Sequence, residues 1–226
     1  MLDIKHIDYQ SETTLCIYFS DSIHTQVALE IAQLSDLIRT RVPHLIEVIP
    51  SYTSIFIEYD VLRSSPQQLE RNIHQLLSNF QYSPLASSQL ELPVFYDPQV
   101  APDLTLLAEK NNLTVSEVIQ IHSEATYTVS SLGFAPGFAY LAGLDPRLAT
   151  PRLEAPKDVA QGSLGIADHQ TAIYPNSSPG GWSVIGSCPV KLFDLNNDPI
   201  TPFQIGMKVK FTPITQQEFI QQGGRL

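Results

Sequence analysis

The sequence predicts an α+β domain followed by a small all-β barrel, within a chain of 226 residues. Three observations support this fold class. The first half alternates between strand-like and helix-like hydrophobic periods. The second half is a series of short apolar runs that are separated by turn residues. All 11 glycines lie at position 133 or beyond, which places the tight turns in the second half.

The first predicted domain covers residues 1–86. Its apolar pattern indicates a strand at 15–19, a helix at 27–38, strands at 46–49 and 55–59, and a helix at 66–80. Pro43 ends the first helix. Ser65 is the predicted N-cap of the second helix, with Gln68 as its capping-box partner. This order of elements is typical of a ferredoxin-like split βαβ sandwich.

The second predicted domain covers residues 87–226, after a linker at 83–89. Its pattern indicates a strand at 92–96, helices at 103–111 and 114–122, and short strands at 127–129, 162–166, 170–174, 182–185, 190–193 and 208–211. Thr114 and Glu117 form the capping box of the second of these helices. Short strands at this spacing predict a small barrel.

Charge and composition exclude several classes of protein. With 13 basic and 23 acidic residues the net charge is −10, which disfavours nucleic acid and anionic membranes as partners. The two cysteines, Cys16 and Cys188, have no CxxC spacing, and no histidines pair at metal-ligand spacing, so we expect no metal site. The polar amino-terminal segment lacks the apolar core of a secretory signal, which predicts a cytoplasmic protein. We read the uncharged stretch 125–144 as buried strand and loop, because it contains proline and glycines.

The sequence lacks the short motifs that mark common catalytic and nucleotide-binding sites, including the P-loop and the GxGxxG motif. His122 is the strongest catalytic candidate, because it ends a predicted helix just before the glycine-rich region. There the helix dipole would favour an imidazolium, and a neutral ring could act as a hydrogen-bond donor or general base. A purely structural role as a helix C-cap is equally compatible with its position.

The glycine-rich segment that follows combines flexible and rigid backbone with aromatic rings. It suits a loop that touches a ligand, although a tight barrel corner with core aromatics has the same composition. Its candidate ligand-binding residues are Gly133, Phe134, Pro136, Gly137, Phe138 and Tyr140.

Further candidates lie downstream. Arg152 and Lys157 each follow a proline and could hold a carboxylate or phosphate, or could simply pair with surface acids. Gln170 and Tyr174 share one face of a predicted strand, where an amide and a phenol could orient a small polar substrate as catalytic residues beside His122 and Arg152. The turn that follows adds three candidate lining residues, Gly180, Gly181 and Trp182.

Four ordered motifs, at 132–141, 149–152, 170–175 and 178–182, resemble the signature of the bacterial family of 5-oxoprolinase B subunits. That family is also named allophanate hydrolase subunit 1, and it includes the sporulation-kinase inhibitor of bacilli. The resemblance extends over nearly the whole chain, since the segments 48–54, 113–122 and 206–213 also match.

The resemblance implies an N-terminal α/β domain and a C-terminal cyclophilin-like barrel with a carboxyltransferase-type domain. It implies a heteromer with two partners, the homologous C subunit, which is a second carboxyltransferase-like chain, and the separate A subunit. This heteromer would hydrolyse 5-oxo-L-proline to L-glutamate with ATP, which would be bound with Mg²⁺ in the assembled complex. ATP would phosphorylate the unreactive lactam oxygen before water attacks. We expect the chain to be inactive alone.

The chain departs from the family pattern at 157, at 160–161, at 168 and at 172, and two of these departures bear on the site. Lys157 stands where the family has arginine, and lysine cannot bind a carboxylate or phosphate through two parallel hydrogen bonds as arginine does. Asp168 stands where the family has a glycine, at a position that we expect to have positive φ. Two other functions stay open: a carboxyltransferase-like enzyme component that acts on a urea-derived substrate, and a non-enzymatic inhibitor of a histidine kinase.

Overall fold

The computed structural model describes residues 2–83 and 89–226 of the chain. The fold divides into two compact units, Met1–Leu85 and Ala86–Leu226. The predicted domain boundary at 86–87 and the middle of the predicted linker lie outside the described residues.

The first unit is a four-stranded antiparallel sheet with two helices. Its elements are β1 (His6–Tyr9), β2 (Thr14–Tyr18), α1 (Thr25–Arg41), β3 (Leu45–Pro50), β4 (Ser54–Tyr59) and α2 (Pro66–Ser78). The strands lie in the order β1, β2, β4, β3. Because β4 separates the two strands that α1 connects, the unit contains the split βαβ arrangement. Strand β1 was not predicted, and it pairs along the outer side of β2.

The helix ends of this unit follow the expected signals in part. Helix α1 ends at Arg41, two residues before Pro43, as restricted backbone before a proline requires. Ser65 caps α2 by accepting a hydrogen bond from the Gln68 amide at 3.2 Å. The predicted capping box is nevertheless wrong, because the Gln68 side chain donates to Asn72 instead of returning to the cap.

The second unit contains most of the strands. Its elements are β5 (Gln89–Val94), α3 (Leu104–Lys110), α4 (Val115–Glu124), β6 (Thr126–Leu132), β7 (Ala139–Ala142), a 3₁₀ turn (Pro146–Leu148), β8 (Lys157–Val159), β9 (Ser163–Ala167), β10 (Gln170–Ile173), β11 (Ser178–Gly180), β12 (Ser183–Ser187), β13 (Lys208–Pro213) and α5 (Gln216–Gln221). Seven strands form one sheet in the order β12, β9, β10, β7, β6, β13, β5, and β8 pairs separately with β11.

The seven-stranded sheet curls into a nearly closed barrel. Phe95, which follows β5, and Ser187, at the end of β12, exchange two backbone hydrogen bonds of 2.8 and 2.9 Å. The two outer strands of the sheet therefore meet, which protects edges that would otherwise be open to other chains. The interior is filled by side chains from alternate strand positions, such as Val129, Leu141 and Ile166.

Two expectations for this unit are wrong. The fold class all-β does not hold for the unit, because it contains the helices predicted at 103–111 and 114–122, now α3 and α4, and also α5, which was not predicted. Leu104, Leu107 and Val118 of α3 and α4 pack into the same core as the barrel strands. Residues 190–193 form no strand, although Leu192 is buried. Pro189 removes a backbone donor at the start of that run, and the Leu192 carbonyl packs instead against Gly137.

The predicted capping box of α4 is confirmed. Thr114 accepts from the Glu117 amide at 3.2 Å, and Glu117 accepts from the Thr114 amide at 2.7 Å. The uncharged stretch 125–144 lies in β6, β7 and their connecting loop. In the part of the chain that the structure describes, no helix combines the length and apolarity needed to cross a bilayer.

Candidate functional site

Five aromatic side chains from three separate segments meet on one side of the barrel. We call them the aromatic cluster: Phe134, Phe138, Tyr140, Tyr174 and Trp182. The Phe138 ring is central, with its centroid 4.8 Å from Tyr140, 5.5 Å from Tyr174 and 5.7 Å from Trp182. The structure therefore brings together the glycine-rich segment, the end of β10 and the glycine–tryptophan turn.

Alternation along β10 explains why Tyr174 reaches this cluster. Ala172 and Tyr174 pack with the cluster, whereas Thr171 and Ile173 lie on the opposite face of the strand. The same alternation places Gln170 on the Tyr174 side, at the start of β10. The prediction that Gln170 and Tyr174 share a face agrees with this register.

Gly180 allows the Tyr174 phenol to occupy its place. A Cβ at position 180 would lie 2.4 Å from the phenol oxygen and 2.8 Å from the ring, so any side chain there would collide with Tyr174. The Trp182 backbone N–H donates to the same oxygen, which opposes the rise in the Tyr174 pKa that burial causes. The phenol keeps its own proton at neutral pH and can donate it to a ligand.

The loop between β6 and β7 contains three residues with positive φ, Gly133, Phe134 and Gly137. Gly137 has φ of 82°, and a Cβ there would lie 2.8 Å from the Leu192 carbonyl oxygen. Phe134 has φ of 71°, which is a rare conformation for an aromatic residue, and 62% of its surface is exposed. The loop therefore displays Phe134 at the outer side of the cluster.

A groove of about 480 Å³ adjoins this loop. It is lined by Leu132, Gly133, Phe134, Ala135, Pro136, Gly137, Phe138, Phe193, Ile200 and Thr201. The sequence motifs did not assign Phe193, Ile200 and Thr201 to the site. They lie about sixty residues after the loop, and no local motif connects them with it.

Arg152 lies beside the glycine–tryptophan turn. A Cβ at Gly181 would lie 3.8 Å from Arg152 Nε and 3.9 Å from Nη2. The side chain is exposed and forms no ion pair with any residue that the structure describes. Burial raises the pKa of Tyr140, and the Arg152 charge opposes that rise from nearby. The guanidinium is thus placed to meet an anion at the edge of the aromatic cluster.

Of the two roles that the sequence leaves open for Lys157, the structure shows pairing with an acidic residue. Its ammonium forms an ion pair with Asp103, which precedes α3. The same Asp103 oxygen accepts from the Val184 amide at 2.7 Å. Asp103 therefore connects the start of α3 with both β8 and β12, and the charge of Lys157 is already compensated.

The predicted catalytic role of His122 is corrected, because its ring is completely buried. Nδ1 lies 2.8 Å from the Tyr96 hydroxyl and Nε2 lies 3.0 Å from Thr171 Oγ1. Burial lowers the pKa of His122 to about 3, so the ring is neutral and not an imidazolium. It does not cap the helix either, since Ala125 is the C-cap. One signal could have revealed the burial: His122 follows the buried Val118 by four residues, on the same helix face.

The remaining features concern the backbone and possible metals. Asp168 has φ of 50°, which confirms the expected positive φ at this position. Among the residues that the structure describes, no three His, Cys, Asp or Glu side chains are grouped so that they could hold a metal ion.

Two comparisons with known proteins decide the family. The carboxyltransferase domain model, subdomains C and D, matches residues 5–203. The chain is 34% identical to the 5-oxoprolinase B subunit of Bacillus subtilis, over 94% of both chains. The chain belongs to the family of 5-oxoprolinase B subunits. The resemblance predicted from the four sequence motifs is thereby confirmed.

Solved structures support the same fold. TTHA0988 superposes with a TM-score of 0.80 at 28% identity, over 93% of this chain and 40% of that longer chain. Urea carboxylase of Kluyveromyces lactis superposes with a TM-score of 0.75 over 92% of this chain and 22% of its own length. At 19% identity, the second likeness shows the fold alone. This member of the 5-oxoprolinase B family thus shares its fold with parts of longer chains.

Proposed function

We propose that this chain is the B subunit of an ATP-dependent 5-oxoprolinase, a complex that cleaves 5-oxo-L-proline to L-glutamate. The observation that carries the proposal is the 34% identity to the Bacillus subtilis protein of that name, over 94% of both chains. The aromatic cluster and Arg152 support it, because they offer the contacts that such a ligand requires.

The chemistry of 5-oxoproline fits the residues around the cluster. The ligand is a small five-membered lactam with one carboxylate. Its ring faces are apolar enough to pack on aromatic side chains such as Phe138 and Trp182. Its carboxylate is a partner for the Arg152 guanidinium. The Tyr174 phenol and the Gln170 amide can hydrogen-bond the lactam oxygen and N–H.

ATP with Mg²⁺ does not fit the residues around this cluster. A triphosphate requires several cations or a cradle of backbone amides at a helix N-terminus, whereas the glycine-rich loop at this cluster leads into strand β7. Arg152 is exposed without an ion-pair partner among the described residues, whereas the Lys157 charge is already taken by Asp103. The net charge of −10 adds a repulsive background. We therefore place the ATP site of the proposed enzyme on its other chains.

The proposed complex contains homologues of the A and C subunits of 5-oxoprolinase. The name of the Bacillus subtilis relative already describes one component of a larger assembly. The exposed, left-handed Phe134 beside an apolar groove suits a surface that another chain covers.

Reconstitution tests the proposal. This chain is purified alone and together with candidate homologues of the other two components, and release of glutamate and phosphate is measured. We expect turnover that requires both ATP and 5-oxoproline from the complex, and none from the single chain. Arg152→Ala should lower turnover of the complex by at least about tenfold, since about 1.4 kcal/mol of charge-assisted binding is lost. Arg152→Lys should restore part of it.

Two results would reject the proposal. One is turnover by the single chain at the rate of the complex. The other is a folded, co-purifying complex that leaves 5-oxoproline intact. Full activity of Arg152→Ala in an assembled complex would leave the subunit assignment in place and move the ligand away from the cluster. Arg41→Ala, at an exposed arginine of the first unit, controls for loss of positive charge alone.

A further inference from the structure

A chain of three hydrogen bonds, one partly buried and two buried, connects the helical side of the second unit with the strands under the aromatic cluster. Tyr96 contacts His122 Nδ1 at 2.8 Å, and His122 Nε2 contacts Thr171 Oγ1 at 3.0 Å. Thr171 Oγ1 in turn donates to the Gly165 carbonyl at 2.9 Å. The chain thus runs from the end of β5, through α4, into β10 and β9.

The hydrogen positions in this chain follow from its last bond. Thr171 has one hydroxyl proton, and that proton points to the Gly165 carbonyl. Thr171 Oγ1 must therefore accept from His122, which places the ring proton on Nε2. Nδ1 then accepts from the Tyr96 hydroxyl. Every polar group in the chain has a partner, so the network is rigid and has no proton to offer a ligand.

The far end of the network lies directly beneath the aromatic cluster. Gly165 pairs with Ala172 of β10 and with Val184 of β12, and both of these pack with the cluster. A Cβ at Gly165 would lie 3.0 Å from Trp182 Cβ and 3.5 Å from the Tyr174 ring. A shift of β9 against β10 would therefore move the surface on which Tyr174 and Trp182 rest.

We propose that Tyr96, His122 and Thr171 form a positioning network, which holds β10 and β9 in place so that Tyr174 and Trp182 present a preformed ligand surface. His122 acts here through Thr171 and takes no part in proton transfer. The inference rests on the proposed function only in its kinetic measurement. The environment of His122 agrees with this role. The ring centroids of Phe211 and Tyr127 lie 5.0 and 5.1 Å from that of His122, and these rings exclude water.

Thr171→Val is the direct test, because it removes the hydroxyl and keeps the shape of the side chain. Thr171→Ser is the matched control, because it retains the hydroxyl. In the full chain we expect Thr171→Val to shift the emission of Trp182, which is the only tryptophan. Amide exchange in β10 should rise at least about tenfold more than exchange in β13. In the assembled enzyme, KM for 5-oxoproline should rise about three- to tenfold with kcat within about twofold. In Thr171→Ser, the Trp182 emission, the amide exchange in β10 and KM should all stay close to the wild-type values.

Three outcomes would overturn the inference. If exchange in β10 and β13 rises equally while Trp182 emission and KM stay unchanged, the network only stabilises the fold. If kcat falls and KM does not change, the network takes part in chemistry. If Thr171→Ser behaves like Thr171→Val, the hydroxyl is irrelevant. Tyr96→Phe gives a second test where Thr171→Val does not fold, and it should shift the same quantities in the same direction. The emission and exchange measurements remain decisive even if the wild-type complex does not turn over 5-oxoproline.

Discussion

The two faces of strand β10 differ in how they treat polar groups. On one face, Thr171 contacts the buried His122, and every hydrogen bond is made within the protein. On the other face, Tyr174 keeps a phenol proton beside the exposed Arg152. Thr171 and Tyr174, which are only three positions apart in the sequence, therefore have opposite roles. Satisfied polar groups organise the strand, whereas groups with remaining donor capacity are available to a ligand.

We call the Thr171 side of β10 the sealed face, because its hydrogen bonds are made within the protein. The largest effect of a substitution is expected there. His122→Asn should lower the free energy of unfolding by about 2–4 kcal/mol, because it leaves a cavity and removes a partner from Tyr96 or Thr171. The kcat of the folded, assembled enzyme should stay within about twofold. Denaturant unfolding and steady-state kinetics measure the two quantities. His169→Asn, at an exposed histidine, is the control. A hundredfold loss of kcat with unchanged stability would instead make His122 a catalytic group.

Low pH should also lower the free energy of unfolding, through protonation of His122 in the unfolded chain. Burial lowers the pKa of His122 from 6.5 to about 3, so between these values the unfolded chain binds a proton that the folded chain does not. The neutral ring thus stabilises the fold fully above pH 6.5, and this contribution is lost as the pH falls towards 3. The free energy of unfolding should fall by at most about 1.4 kcal/mol per pH unit. At pH 5 the total loss should be about 2 kcal/mol. Tyr96 and Tyr127, which face the ring, do not titrate in this range because burial raises the pKa of both.

The acid effect is measured as the difference between the wild-type protein and His122→Asn. Urea unfolding of both proteins at several pH values between 7 and 5 isolates the contribution of the ring. The wild type should lose more stability than the variant over this range. Parallel curves would mean that the ring is accessible to protons in the folded state.

A smaller effect is expected at the glycine under Tyr174. Gly180→Ala should cost about 1–3 kcal/mol of stability, because its Cβ would overlap the phenol and displace the ring. Gly181→Ala is the matched control, since its nearest neighbour would be the Leu153 carbonyl oxygen at an ordinary 3.5 Å. Thermal unfolding of the two variants tests the difference. Equal melting temperatures would show that Tyr174 does not depend on the space at position 180.

Local sequence signals were sufficient for much of the fold. Hydrophobic period indicated β2, α1, β3, β4 and α2, and the Thr114–Glu117 pair marked the start of α4. The same signals missed β8 and β11. These strands have three residues each, and Pro179 lies inside β11, where a strand pattern is normally excluded.

The candidate site could be predicted only in part. Motifs containing glycine and aromatic residues indicated the loop, Tyr174 and Trp182, because close backbone approach requires glycine there. The partner of Lys157 could not be predicted, since Asp103 lies 54 residues away and no local pattern links the two. The role of His122 does not follow from its position near the end of a helix, because it lies on the buried face that Val118 shares.

The central claim is that 5-oxoproline binds at the aromatic cluster with its carboxylate on Arg152. Because Trp182 is the only tryptophan, 5-fluorotryptophan labelling of this chain alone gives one fluorine signal in the assembled complex. The account predicts a saturable shift of that signal on titration with 5-oxoproline, and Arg152→Ala should require about tenfold more ligand. 2-Pyrrolidinone, which lacks the carboxylate, should bind both proteins equally. An unchanged signal at concentrations that saturate turnover would contradict the account and place the ligand elsewhere.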